Sequence, residues 1–169
     1  NVIGGGDFSN DRIIPDFVKS IENRTYLKIR NKSSTRPWQH VLEPLGGYLM
    51  FAIKMSAEKK NKIEILNFGP KKINNYNVGD VINTLVKILP YNKIQTNVQK
   101  KFKESKLLKL NSNKATKFLK WKPTLNFKET ISLTGFWYKF YLSGNNSSDI
   151  RNFTIQQINQ YYRKFKNIN

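Results

Sequence analysis

The sequence has no cysteine, which excludes disulfides and thiolate metal ligands. It has one histidine, His40, and only 11 acidic residues in 169, so a cluster of metal-ligating side chains is not predicted. No apolar run approaches the roughly 20 residues that a membrane-crossing helix needs. The opening residues, Asn1-Val2-Ile3-Gly4-Gly5-Gly6-Asp7, lack both an initiating Met and the basic-then-apolar pattern of a signal peptide. They read as a chain already in progress. Internal repeats and heptads are also missing.

What is present suits a folded α/β unit. Hydrophobic residues make up 38% of the chain and aromatics 13%, enough for a core and too much for a disordered polymer. The formal charge is +19 and the isoelectric point about 10.1. Such a charge attracts polyanions, nucleic acid among them. Its lysines are scattered in pairs such as Lys59-Lys60, Lys71-Lys72 and Lys100-Lys101, rather than gathered in one arm. The pattern therefore favours a solvated basic surface over a dedicated nucleic-acid interface.

Helical spacing of Ile14, Phe17, Val18 and Ile21 predicts a helix after Pro15. Further helices are predicted from about Leu45 to Lys60, from Asn77 to Leu89, from Asn111 to near Leu119, over Phe127 to Leu142, and over Thr154 to Lys166. Strands are predicted at Tyr26 to Ile29, Ile63 to Phe68, Lys93 to Val98 and Leu107 to Leu110. Asn31 to Pro37 and Ser143 to Asp149 read as polar loops. Four widely spaced strands do not make a complete doubly wound sheet.

The most informative stretch is Ser33-Ser34-Thr35-Arg36-Pro37-Trp38-Gln39-His40-Val41. Arg36 carries a planar donor fork suited to a diphosphate, and Pro37 and Trp38 supply rigidity. Arg12 and Arg30, on other polar segments, can complete a cationic pocket, although each alone reads equally as a surface ion pair. Gly4-Gly5-Gly6 fits either a tight turn or a phosphate cradle. His40 reads as a structural side chain rather than a general base, since no orienting partner is visible in sequence. The Tyr-x-x-x-Lys pair of short-chain dehydrogenases occurs only as Tyr162 and Lys166 at the far end, where it reads as chance.

Taken in order, these segments resemble the C-terminal half of the NAD-dependent epimerase/dehydratase family of extended short-chain dehydrogenases/reductases, in its CDP-glucose 4,6-dehydratase branch. The matching pieces are Asn1 to Asp7, Asp11 to Asp16, Ile29 to Asn31, Ser34 to Pro44, Asn67-Phe68-Gly69-Pro70, Leu107 to Leu110, and Lys114-Ala115. Leu119 with Trp121-Lys122-Pro123, Thr134 with Trp137-Tyr138, and Asp149 to Arg151 with Phe153-Thr154 and Gln157-Ile158 complete the set. The string from Arg36 to Pro44 is the specific one.

The resemblance implies the C-terminal portion of a Rossmann-type α/β fold, mainly the sugar-nucleotide-binding subdomain together with the end of the NAD domain, with no clean boundary inside residues 1–169. It implies a lyase reaction of the whole enzyme, CDP-glucose to CDP-4-keto-6-deoxyglucose and water, in deoxysugar biosynthesis. NAD would be held mainly by an upstream half carrying the glycine-rich loop and the Tyr-x-x-x-Lys pair, which this chain lacks. No catalytic residue is therefore assigned here.

By position, Asn1 would sit at the cofactor–substrate junction. Arg12 and Ile14 would line the nucleotide-sugar pocket, Arg30 would lie near the cytidine, and Arg36 would hold the diphosphate. Glu104 falls in a segment that is His-Glu-Ala-like in the family and reads Lys103-Glu104-Ser105 here. The implied partners are CDP-glucose or a related nucleotide sugar, the upstream half, and a homodimer of the full-length enzyme. The implied location is the cytoplasm, without a membrane or a specific nucleic acid. The alternatives are an inactive nucleotide-sugar-binding remnant and a basic nucleic-acid-binding protein. A chain of this extent is expected to expose a sheet edge and an apolar face.

Overall fold

The computed structural model describes residues 1–58, 64–71, 75–96 and 108–169. Its elements in chain order are β1 (Val2–Ile3), α1 (Ile13–Glu22), β2 (Leu27–Ile29), β3 (Gln39–His40), α2 (Leu42–Ala57), α3 (Val78–Leu85), β4 (Ile94–Thr96), α4 (Asn113–Leu119), α5 (Phe127–Leu142) and α6 (Ser147–Ile168). The strands form two separate two-stranded parallel sheets, β1 with β3 and β2 with β4. Val2 lies opposite Gln39 in the first, and Lys28 opposite Gln95 in the second.

α5 is the central post. Its N-cap Asn126 accepts from the Glu129 amide while the Glu129 carboxylate accepts from the Asn126 amide, which fixes where the helix begins. Ile131, Thr134 and Tyr138 are buried along its length. The same reciprocal cap, Asn77 with Asp80, starts α3. Gly135 lets the end of α3 and the turn after it approach, because a Cβ there would lie 3.3 Å from the Leu85 side chain and 3.0 Å from that of Ile88. Around this post Ile14, Phe17 and Val18 of α1, Leu27 and Ile29 of β2, and Val81, Ile82 and Leu85 of α3 close the main core. A smaller cluster joins Phe68, Ala115, Leu119 and Trp121 beneath α2.

α6 folds back along α5. The Trp137 indole donates to the Thr154 hydroxyl at 2.8 Å, and the Gln157 amide donates to the Leu133 carbonyl at 2.9 Å.

Several boundaries differ from the sequence-based expectations. α2 begins at Leu42 and takes Glu43 and Pro44 into its first turn, where a proline costs no hydrogen bond. α6 starts at Ser147, because Asn146 caps it by accepting from the Asp149 amide, so the polar linker is shorter than predicted. Residues 64–68 and 108–110 form no strand. A strand needs a ladder of N–H and C=O partners, whereas the Leu108 amide makes a single backbone bond, to the Thr35 carbonyl at 3.2 Å, and the Phe68 carbonyl accepts from the Gln39 side chain at 2.8 Å. The short β1 and β3 were not anticipated, since two residues carry no alternation pattern.

Candidate functional site

A cavity of about 510 Å³ opens where four parts of the chain meet. Asn1 to Gly4 form one wall, with Asp7 and the stretch Asp11 to Asp16 entering α1 beside them. Lys28 to Asn31 leave β2 on another side, and Arg36 and Trp38 complete the ring with Val78 of α3. Asn1, Arg12, Ile14, Arg30 and Arg36, five residues singled out in the sequence, thus meet in one cavity although up to 35 positions apart. The sixth, Glu104, lies outside the described residues.

Local structure explains the convergence. The backbone nitrogen of Asn1 donates to the Pro37 carbonyl at 2.8 Å, and the Gln39 amide donates to the Asn1 carbonyl at 3.0 Å. This zips the first strand to the Arg36–Trp38 loop. The Trp38 indole donates to the Tyr76 carbonyl at 2.9 Å, fixing the loop against the entry to α3. Tyr76 stacks on Phe127 at 3.7 Å, so the loop rests on α5. Asp11 adopts a left-handed φ of 60°, which turns the chain so that Arg12 and Ile14 face the cavity.

The site is rich in charge. Arg12 pairs with Asp7 at 3.0 Å, Arg30 donates to the Asp11 carbonyl at 3.3 Å, and Arg36 donates to its neighbour Thr35 at 3.0 Å. Burial works to raise Asp7, but the Ser9 amide and hydroxyl and the Arg12 guanidinium outweigh it and hold the carboxyl below its usual range. Asp16 moves the other way, raised by burial and by Asp11. The N-terminus of α1 has no side-chain cap, and its first-turn residues Ile13 and Ile14 line the cavity. Uncapped amides and a helix dipole favour an anion there. Three arginines lining one concave space beside a helix start are a donor set that a diphosphate takes.

Packing and the turn account for the glycine run. A Cβ on Gly5 would fall 2.0 Å from the Trp137 ring and one on Gly4 2.8 Å from Val41. These glycines are required by packing and the turn, with Gly6 at a φ of 82°. Of the residues lining the cavity, only Asn1 was assigned toward a cofactor. His40 lies outside the cavity lining. Its Nδ1 accepts from the Leu42 amide at 3.3 Å, and burial pushes it down to about 4, so it is a neutral packing residue at neutral pH. Tyr162 and Lys166 sit on α6, away from this lining.

Sequence reasoning missed Glu43. It is buried and accepts from the Thr124 amide at 2.9 Å, the Leu125 amide at 2.5 Å and the Tyr161 hydroxyl at 3.2 Å. An acid one residue before a proline at a helix start was the available signal.

No protein-family model matches the chain. A CDP-glucose 4,6-dehydratase of Salmonella typhimurium is 37% identical over 145 residues, covering 85% of this chain and 40% of that relative. A UDP-glucuronic acid 4-epimerase from Bacillus cereus, solved with UDP-glucuronic acid and NAD, superimposes with a TM-score of 0.68 at 22% identity, over 83% of this chain and 43% of its own. A dTDP-glucose 4,6-dehydratase from Bacillus anthracis, solved with NAD, gives 0.65 at 20% identity, over 83% and 42%. A Thermotoga maritima UDP-glucose 4-epimerase with UDP-glucose gives 0.68 at 20%, over 84% and 44%. The chain spans about two fifths of the length of these relatives. The sequence match and the shared fold agree: over most of its length the chain is similar to a CDP-glucose 4,6-dehydratase, and it has the fold of the C-terminal portion of the extended short-chain dehydrogenases/reductases that act as sugar-nucleotide epimerases and dehydratases.

Proposed function

We propose that this chain supplies the nucleotide-sugar-binding part of an NAD-dependent CDP-glucose 4,6-dehydratase. The observation that carries the reading is the convergence of Arg12, Arg30 and Arg36 on one cavity beside the uncapped start of α1. In this reading Arg36 grips the diphosphate, Arg30 lies toward the cytidine, and Arg12 and Ile14 line the pocket. Glu104 is assigned to the ribose side by family position alone. Asn1 stands where substrate and cofactor would meet.

NAD, when bound, would take and return the hydride. This chain's residues bind and orient the nucleotide sugar. The proton-transferring groups and the cofactor loop belong to a partner half in this proposal. The outer face of α2 supports such a partner. Leu45, Tyr48, Leu49 and Ile53 recur at helical spacing and are 45%, 56%, 67% and 69% exposed. The inner face is also occupied, with Gly47 lying under the Phe68 ring and Gly46 under Phe165. A helix apolar on both faces fits between two layers, and two-stranded parallel sheets fit within larger covered ones.

The test is calorimetric titration with CDP and CDP-glucose. Arg36→Ala is expected to weaken both by tenfold or more while the thermal transition is retained. An affinity unchanged in a folded Arg36→Ala variant contradicts the assignment.

A further inference from the structure

The cavity holds a cation that the motifs did not single out. β2 alternates, with Leu27 and Ile29 buried and Lys28 exposed between them. Residues two apart on a strand share a face, so Lys28 and Arg30 stand side by side, about 7 Å apart along the strand. Pairing in register with β4 holds the Lys28 backbone opposite Gln95. Both Lys28 and Arg30 line the cavity.

The charges there are nearly matched. Three arginines, Arg12, Arg30 and Arg36, share the lining with three carboxylates, Asp7, Asp11 and Asp16. Each arginine is already engaged, Arg12 by Asp7, Arg30 by the Asp11 carbonyl and Arg36 by the Thr35 carbonyl. The Lys28 side chain makes no hydrogen bond or ion pair among the described residues. It is therefore the cation of this lining whose side chain is not already engaged. A lysine without a partner keeps a mobile, hydrated ammonium that reaches an incoming anion without breaking an internal bond.

We infer that Lys28 is a further binding residue of this site, closing on the diphosphate of the nucleotide ligand from the β2 side. The inference rests on the reading of the cavity as a nucleotide-diphosphate site. It adds what that reading lacked, a cation whose release from water is not offset by a lost internal contact. An exposed lysine that merely solvates a strand would leave affinity unchanged, so the two roles separate in a binding measurement.

The test titrates the chain with CDP and, separately, with cytidine, by calorimetry at low and physiological salt. The variants are Lys28→Met, which keeps the length without the charge, and Lys28→Arg, which keeps the charge. Lys28→Met is expected to weaken CDP about tenfold, with a shallower salt dependence than the parent. Lys28→Arg is expected to stay within about threefold, and cytidine binding to be equal in all three proteins. Equal CDP affinity in the parent and Lys28→Met overturns the inference and leaves the cavity reading intact. A loss for cytidine as large as for CDP also overturns it, because it moves Lys28 to the base. A folded parent that does not bind CDP at all removes the cavity reading itself, and Lys28 with it.

Discussion

Glu43 and His40 lie within four positions of each other, and burial drives their titration in opposite directions. Glu43 is raised from 4.5 by burial, against the pull of the Leu125 and Thr124 amides and the Tyr161 hydroxyl. Its contribution to stability is full below pH 4.5 and is lost as the pH rises through the raised value. His40 is lowered from 6.5 to about 4 by burial. Its contribution is full above pH 6.5 and is lost as the pH falls toward 4, where the unfolded chain takes up a proton that the folded chain refuses. A His40→Asn variant is therefore expected to lose less stability than the parent between pH 6.5 and 4.5, by about 2 kcal/mol. Urea melts at the two pH values measure this difference, and equal losses would contradict it. Glu43→Ala leaves two amides and a hydroxyl without an acceptor and is expected to cost about 3 kcal/mol, whereas Glu43→Gln retains part of the network. At this scale Arg12, Arg30 and Arg36 were legible only as a set, since each alone reads equally as a surface ion pair; what the structure adds is that the three line one cavity. Glu43 was obscured because its acceptors' partners lie 81 to 118 positions away. Lys28 was obscured by the many other lysines.

Helices were legible where their ends carry local chemistry. α5 runs from Phe127 to Leu142, as its pattern predicts, because Asn126 and Glu129 cap it by contacts inside four residues. Asn126→Ala is expected to cost about 1 kcal/mol, read as a lowered melting temperature with unchanged binding. Strands were legible only where a partner arrived. Leu27 to Ile29 found β4, whereas residues 64–68 have the composition of a strand and form none. Pairing is decided by distant chain, which a local pattern does not record. The outer face of α2 makes its own prediction. Replacing Leu49 and Ile53 together with lysine should reduce self-association of the isolated chain in sedimentation while sparing the cooperative melt. It should also abolish any association with a separately produced cofactor-binding half. Association unaffected by the double variant would show that α2 is not the contact.

For the molecule as a whole, the formal charge of +19 gives every anion an initial advantage. A specific pocket has to be separated from that general field. The field is diffuse and screened by salt, whereas the cavity gathers its cations on residues 12, 28, 30 and 36 around a concave space. A second cavity, of about 670 Å³ between α5 and α6, provides an internal control. Leu133, Phe136, Phe140 and Phe153 line it, and it lacks the arginine set. Backbone-amide NMR during a CDP titration at physiological salt distinguishes the two most directly. Saturable shifts confined to Asn1–Asp16, Lys28–Trp38 and the start of α3 are the predicted result. Shifts centred on Leu133, Phe140 and Tyr161, or spread without saturation over the basic surface, would contradict it.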